Sequence, residues 1–313
     1  MPVRVLSLCG FTQNSTIYSK QLGAIRKTCK NAEFVFLEPP IIVQKADMPW
    51  AQTSLDDFAS NATTETEQQT PETTPRAWWL TGGDKSVYKR FDETLTYIHD
   101  FMVKNGPFDG IMGFSQGACM ASILAALLEQ PGLHPNWPAE PAIPKFKFVI
   151  AVGGFLPQPN VPSFEGWFPL PASLPVLHVI GRTDVVVPEE RSKTLIEGCK
   201  NSRVEYHTGG HFTPSKASWR HFFNAYITGV SAGEDQNDIA PVNSFGPSGT
   251  NTPASTSGAG TPRPASPAVP SMSAPSPLAT TSSTTADPVA AAVSAIDLNG
   301  TKTEEDGQTK AKV

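Results

Sequence analysis

Short apolar runs alternate with longer, helix-like stretches along the first three quarters of the chain. The apolar runs lie at 3–8, 34–37, 108–112, 146–152, 176–180 and 204–206. Runs without polar alternation are typical of strands that are covered on both faces. Helical patterns fill the intervals at 16–30, 86–103, 116–130, 188–199 and 213–228. This order predicts an α/β fold with a mostly parallel central sheet and helices on both faces, in which ligands bind at the carboxyl ends of the strands.

Two segments depart from this pattern. Residues 231–313 consist mainly of Ala, Ser, Thr, Pro and Gly, and Phe245 is their only aromatic residue. Residues 52–76 are rich in Thr, Glu and Gln. Neither composition supplies the apolar surface that a packed core requires. We therefore expect one folded domain at 1–230 with a flexible insertion near 52–76. A disordered tail at 231–313 follows, which is either a phosphorylated interaction segment or an inert extension.

Charge and cysteine usage exclude several classes of partner. The formal net charge is −5 over 313 residues, and no basic patch indicates a nucleic-acid or anionic-membrane partner. No run approaches the roughly 18 apolar residues of a membrane span, and the first residues form a strand pattern rather than a signal peptide. The cysteines have no CxxC spacing, which favours free thiols over disulfides or a metal site. We expect a soluble protein of the cytoplasm or nucleus, with no metal, nucleic-acid or membrane partner. The sequence gives no oligomeric state.

The strongest chemical motif is the G-x-S-x-G sequence at 113–117, centred on Ser115. It follows the predicted strand at 108–112 and precedes an apolar helical stretch at 118–128. A sharp strand-to-helix turn exposes the serine hydroxyl, and the two flanking glycines allow the strand and helix to approach closely. Ser115 is therefore the predicted nucleophile. The alternative is a glycine-rich helix entry with a capping serine.

A serine nucleophile requires a histidine base. Among the histidines of the chain, His211 lies in the Gly209-Gly210-His211-Phe212 loop that follows the last predicted strand. His207 belongs to that strand and is the weaker candidate. A purely structural role for both remains the alternative reading.

The carboxylate that orients the base is predicted to be Asp184, because it comes just after the strand at 176–180. Glu189 and Glu190 are better explained as acids of a first helical turn, and a turn-forming role is the alternative for Asp184. The chain order Ser115, Asp184, His211 is the order found in α/β-hydrolases.

The oxyanion donors and substrate contacts are predicted from the loops at the strand ends. The backbone N–H of Gln116 begins the helix after the nucleophile, and the N–H of Phe11 lies in the turn after the first strand. The polar residues at 12–14 are alternatively caps of the next helix. Aromatic side chains at these loops suit an apolar or mixed acyl chain. The predicted substrate contacts are Trp78, Trp79, Phe155 and Phe212. The alternative is that these side chains only pack at the rim of the site.

These motifs together resemble the FSH family of serine hydrolases, which includes esterases and thioesterases that release polyketides from their synthases. The similar segments are GFTQN at 10–14, RAWW at 76–79, GPFDG at 106–110, GFSQG at 113–117, HVIG at 178–181, VPEE at 187–190 and GGHF at 209–212. The resemblance implies an α/β-hydrolase fold, Ser115 as nucleophile with Asp184 and His211 as partners, and the turn at Phe11 in the oxyanion hole. It covers residues 3 to about 228, within which Cys9 stands where family members usually carry histidine.

The function expected from these residues is hydrolysis of a carboxylic ester or thioester through an acyl-enzyme, without a cofactor. The substrate is either a small molecule or an acyl chain held on a carrier protein, as the family resemblance implies. The rival hypothesis is a catalytically weak hydrolase-fold protein that binds or scaffolds. It is motivated by Cys9 and by the long tail.

Overall fold

A computed structural model describes residues 1–44, 47, 70, 73–81, 87–158 and 164–246. Most of the predicted insertion near 52–76 and the predicted tail from 247 onward lie outside the described residues. In chain order the elements are β1 (Val3–Leu8), α1 (Ser15–Gln21), α2 (Gly23–Thr28), β2 (Ala32–Phe36), β3 (Ile41–Ile42), β4 (Arg76–Ala77), β5 (Leu80–Thr81), β6 (Tyr88–Lys89), α3 (Phe91–Asn105), β7 (Gly110–Phe114), α4 (Gln116–Glu129), β8 (Phe148–Val152), β9 (Val176–Gly181), α5 (Glu189–Glu197), β10 (Ser202–His207) and α6 (Ala217–Ala232).

The central sheet has six strands in the order β10-β9-β8-β7-β1-β2. Every neighbouring pair in it is parallel. All residues of β7, β8 and β9 are buried, which explains why these strands appear in the sequence as continuous apolar runs. The predicted α/β fold with a mostly parallel sheet is confirmed. The loops after β1, β7, β8, β9 and β10 therefore all leave the sheet at the same edge, the one at which ligand binding was expected.

The predicted element bounds shift where local geometry intervenes. The single helix expected at 16–30 is two helices separated by Leu22. The strand expected at 108–112 begins and ends two residues later, as β7, and Phe108 stacks on Phe101 before the strand starts. The helix expected from 86 begins at Phe91, after Arg90 has taken a left-handed φ of 60°.

Two small antiparallel sheets, β3 with β4 and β5 with β6, lie beside the site and were not predicted. Each strand has only two residues, too few for a sequence period to develop. β4 includes Arg76, whose carbonyl accepts the N–H of Thr12 at 2.8 Å. The C-terminal end of the predicted insertion is therefore part of the folded body and holds the turn that follows β1.

The folded body extends beyond the predicted boundary at 230. α6 ends at Ala232, and a 3-10 helix at Val242–Phe245 packs against it. Between them Gln236 is fully buried and accepts a hydrogen bond from the Tyr226 hydroxyl at 2.9 Å. The expectation of disorder from 231 is therefore wrong for residues 231–246. A few well-placed side chains fix this segment, although its average composition is that of a disordered tail.

The four cysteines are buried free thiols, as the sequence predicted. In the described part of the chain, no helix is both long and apolar enough to cross a membrane.

Candidate active site

Ser115 occupies the tight turn between β7 and α4. Its φ of 52° and ψ of −118° are unusual for a residue with a side chain, and such strain is typical of a residue whose side chain must be displayed at a functional site. A Cβ on Gly113 would lie 2.2 Å from the carbonyl oxygen of Gly117, and one on Gly117 would lie 2.3 Å from that of Leu8. The two motif glycines are thus required because backbone segments touch at both positions.

His211 and Asp184 form a short, direct pair. Nδ1 of His211 lies 2.6 Å from Oδ2 of Asp184. The second carboxylate oxygen of Asp184 accepts the backbone N–H groups of Val186 and Val187, each at 2.9 Å. Burial favours a higher pKa for Asp184, but the hydrogen bond from His211 and the two amides outweigh it, so the pKa is lowered. Asp184 therefore carries a stable negative charge that fixes the His211 ring.

The Ser115 turn and the His211–Asp184 pair are neighbours. The ring of Phe114, which directly precedes Ser115, lies 4.7 Å from the His211 ring between centroids. A Cβ on Gly153 would come within 3.1 Å of Cε1 of His211, and one on Gly10 within 3.3 Å of Cβ of Ser115. Loops after β1, β7, β8, β9 and β10 thus converge here, at the predicted edge of the sheet.

The weaker candidates are engaged elsewhere. His207 is buried, and its Nδ1 accepts the N–H of Gly209 at 3.2 Å. Glu189 begins α5 and accepts a hydrogen bond from the Tyr206 hydroxyl at 2.9 Å. Glu190 also belongs to the first turn of α5.

The turn after β1 was predicted either to supply an oxyanion donor or to cap the next helix. Asn14 caps α1, because its side chain accepts the N–H of Ile17 at 2.8 Å, so the capping reading holds for Asn14. Gln13 instead closes the turn on itself by accepting the N–H of Gly10 at 2.9 Å. Thr12 takes a left-handed φ of 67°. The backbone around Phe11 is therefore tightly folded, and the Phe11 amide stays a prediction as an oxyanion donor.

The backbone of Cys9 anchors this turn to Trp78. Its carbonyl accepts the indole N–H of Trp78 at 2.8 Å. Burial raises the pKa of the Cys9 thiol well above its ordinary value, so the side chain stays a neutral packing group. The departure from the family's usual histidine thus coexists with a firm tie between the turn and Trp78.

The side chain of Gln116 has a structural role that the sequence did not reveal. Its carbonyl oxygen accepts the N–H of Trp78 at 3.0 Å, and its amide donates to the carbonyl of Trp79 at 2.8 Å. Gln116 is also the first residue of α4, so its own N–H has no partner within the helix. One residue therefore supplies the predicted oxyanion amide and fixes the aromatic segment beside it.

The four predicted substrate contacts differ in exposure. Trp78 is fully buried and Trp79 nearly so, with the Trp79 ring stacked 4.7 Å from Tyr88. Phe155 is mostly buried under the guanidinium of Arg191, which lies 3.7 Å from the centre of the ring. Phe212 is 50% exposed. The contacts of Trp78 and Trp79 make them part of the packing around the site, and a substrate contact for any of the four stays a prediction.

The parallel sheet and the strained serine turn at its carboxyl edge are the arrangement expected of a serine hydrolase. A family model described as serine hydrolase (FSH1) matches residues 1–223, and the chain belongs to this family. The sequence-based resemblance is thereby confirmed, and the protein is an enzyme of the serine hydrolase type.

Individual relatives have different names. Human "Esterase OVCA2" is 33% identical over 236 residues, covering 72% of this chain and 96% of that protein. A "Dihydrofolate reductase" of Schizosaccharomyces pombe is 35% identical over 222 residues, covering 70% of this chain but 45% of that protein. The chain thus spans less than half of the latter. A solved acyl-protein thioesterase 2 of Zea mays is 17% identical with a TM-score of 0.49, covering 74% of this chain and 94% of that one.

Proposed function

We propose that the enzyme hydrolyses carboxylic esters or thioesters through an acyl-enzyme formed on Ser115, with His211 as the base and Asp184 as its orienting carboxylate. The observation that carries this proposal is the short hydrogen bond of 2.6 Å between Nδ1 of His211 and Oδ2 of Asp184. This pair lies next to the strained turn of Ser115. With Nδ1 donating to the carboxylate, the lone pair of Nε2 is free to take a proton.

In the first half-reaction Nε2 of His211 accepts the proton of the Ser115 hydroxyl as its oxygen attacks the acyl carbon. The resulting imidazolium is stabilised by Asp184 and returns the proton to the departing alcohol or thiol. In the second half-reaction His211 takes a proton from water, which attacks the acyl-enzyme. Ser115 then leaves with that proton, and the carboxylic acid is released.

The tetrahedral intermediates carry a negative oxygen that needs two donors. We assign the N–H of Gln116, at the start of α4, as the first donor. The N–H of Phe11 is the second, because the turn at Gly10 places this backbone next to Cβ of Ser115. The ties from Trp78 to Cys9 and to Gln116 connect the two loops that would supply these donors.

Among the described residues at the site edge, the acyl group would meet aromatic side chains and the guanidinium of Arg191. Phe155 follows β8 at the site edge, and Arg191 lies over its ring. Phe212, next to His211, is half exposed and available to the acyl or leaving group. We infer an apolar or mixed acyl chain. Release of an acyl chain from a carrier protein is the narrower form of this function.

Steady-state hydrolysis of a p-nitrophenyl ester and of an acyl-pantetheine thioester tests the proposal. Ser115→Ala and His211→Ala should each reduce kcat by about 10⁴-fold or more. Ser122→Ala is the matched control, because it removes the hydroxyl of a nearby serine, buried within α4, that donates to the Cys119 carbonyl. Near-wild-type hydrolysis by the Ser115 variant would refute the assignment. Absence of activity from well-folded wild type on both substrates would favour the rival, a weak hydrolase that binds or scaffolds.

A further inference from the structure

His211 lies in the first part of the connection between β10 and α6, which spans 208–216. Residues 208–212, here called the His211 loop, include two consecutive glycines directly before the histidine. Glycine has the largest backbone freedom to lose on ordering. An active-site base must nevertheless be held within a fraction of an ångström of its working position. Something outside the loop must therefore restrict it.

Part of that restriction comes from the neighbouring β9–α5 loop. The N–H of Arg182 donates to the His207 carbonyl at 2.9 Å, and the N–H of Thr183 donates to the Gly209 carbonyl at 3.2 Å. These bonds connect the His211 loop to the loop that carries Asp184. They restrain the carbonyls of His207 and Gly209 but leave the Gly209 N–H to another partner.

That partner is the side chain of His207, the last residue of β10. Nδ1 of His207 accepts the Gly209 N–H at 3.2 Å. The His207 ring also lies 4.9 Å from the Phe212 ring and stands nearly perpendicular to Trp219 at 6.0 Å. One imidazole thus contacts the loop before and after His211 and joins it to α6.

The hydrogen bond fixes the chemical form of this ring. A backbone N–H can only donate, so Nδ1 of His207 must be unprotonated and the proton of the neutral ring lies on Nε2. Burial lowers the pKa of His207, although the charge of Asp184 opposes this shift. The neutral form that accepts from Gly209 is therefore the form that the site favours near neutral pH.

We propose that His207 is a positioning residue for catalysis: its neutral imidazole accepts the Gly209 N–H and packs on Phe212, holding the loop so that His211 stays against Asp184. The proposal rests on the proposed role of His211 as base. It assigns His207 no contact with substrate and no proton transfer, and it explains why a second histidine is buried next to the base.

Two variants separate hydrogen bonding from packing. His207→Phe keeps an aromatic ring of similar size but has no acceptor. His207→Asn loses the ring but places a carbonyl oxygen near the position of Nδ1. We expect the Phe variant to lose about 10- to 100-fold in kcat with KM changed less than about twofold, and the Asn variant to recover most of that loss.

Loss of kcat in equal measure by both variants, in proportion to a fall in melting temperature, would overturn the proposal in favour of simple core packing. Wild-type kcat in the Phe variant would overturn it as well. Long-range ¹H–¹⁵N spectra of the wild-type enzyme give a second, variant-independent test, in which the His207 signals should show Nε2 protonated and Nδ1 bare. The Nδ1-protonated form would contradict the proposal.

These tests remain separable from the failure of the proposed function. If Ser115→Ala and His211→Ala retain activity, the triad assignment fails. If both abolish activity and His207→Phe does not reduce it, only the positioning role fails.

Discussion

Oδ2 of Asp184 lies 2.6 Å from Nδ1 of His211, while Oδ1 of the same carboxylate accepts two backbone N–H groups. The two oxygens therefore have different tasks. Oδ1 fixes the turn at Val186 and Val187, and Oδ2 fixes the histidine ring. A change that affects only one oxygen can thus separate folding from catalysis.

Asp184→Asn is that change. The asparagine carbonyl can keep the two backbone hydrogen bonds, which leaves its NH₂ group facing Nδ1 of His211. Nδ1 must then accept, and the ring proton moves to Nε2, the atom that should receive the serine proton. We expect kcat to fall by about 10³- to 10⁴-fold with a near-native melting temperature, measured on the same ester substrate.

Asp109→Asn is the matched control for this substitution. Asp109 precedes β7 at the opposite end of the strand, accepts the N–H of Arg4 and pairs with Lys147. The same chemical change there should affect stability alone and leave kcat unaltered. Equal kcat values for the two variants would contradict the role given to Asp184.

The close backbone contact at the nucleophile turn predicts a stability effect. Gly113→Ala would place a Cβ 2.2 Å from the Gly117 carbonyl oxygen, so backbone must shift. We expect the free energy of unfolding to fall by about 1–3 kcal/mol, as measured by urea denaturation, with loss of activity. Gly23→Ala, at the start of α2, has no atom within 4 Å of the new Cβ and should be neutral or slightly stabilising. Equal stability of the two variants would refute the packing argument.

The segment at 231–246 predicts different results for two truncations. A chain ending at 246 should retain full stability and hydrolysis. A chain ending at 230 loses buried Gln236 and Ile239 and removes the carbonyls to which Arg203 donates. We expect it to lose about 3 kcal/mol or more of unfolding free energy, observable as a lower melting temperature. Identical melting curves for the two truncations would show that the segment contributes nothing.

His178 predicts a pH-dependent loss of stability. It is buried in β9, its Nε2 lies 3.1 Å from the Ser202 hydroxyl, and burial lowers its pKa to about 4. As pH falls from 6.5 to 4 the unfolded chain binds a proton that the folded chain does not, so stability is complete above this window and declines within it. His134 and His207 shift in the same direction.

The contribution of His178 alone amounts to about 3 kcal/mol. His178→Gln should remove this part of the decline when urea denaturation is compared at pH 7 and pH 4. An unchanged difference between the two pH values would mean that the folded chain protonates His178 as readily as the unfolded chain does, which contradicts the lowered pKa.

Those features that depend on sequence period were predictable. The buried strands β7, β8 and β9 appear as apolar runs, and Ser115, Asp184 and His211 each lie within about five residues after the end of a predicted strand. A parallel sheet brings such strand ends together without further information. This is why residues far apart in the sequence could be predicted to lie at one edge of the sheet.

Features that depend on single tertiary contacts were not predictable. The two-residue strands β3 to β6 have no period, and nothing in the sequence indicates that the Gln116 side chain binds the Trp78 and Trp79 backbone. Residues 231–246 have the composition of a tail, yet Arg203 and Tyr226 hold them through hydrogen bonds to particular atoms. The average composition of a segment does not reveal hydrogen bonds to particular atoms.

Labelling with a fluorophosphonate probe tests the central claim most directly. The probe reacts with a serine only where a base has activated it. We expect wild-type enzyme to be modified on the peptide that contains Ser115, as identified by mass spectrometry, and the modification to vanish in Ser115→Ala and His211→Ala but not in Ser122→Ala. Modification at another serine, or none in well-folded wild type, would contradict the account.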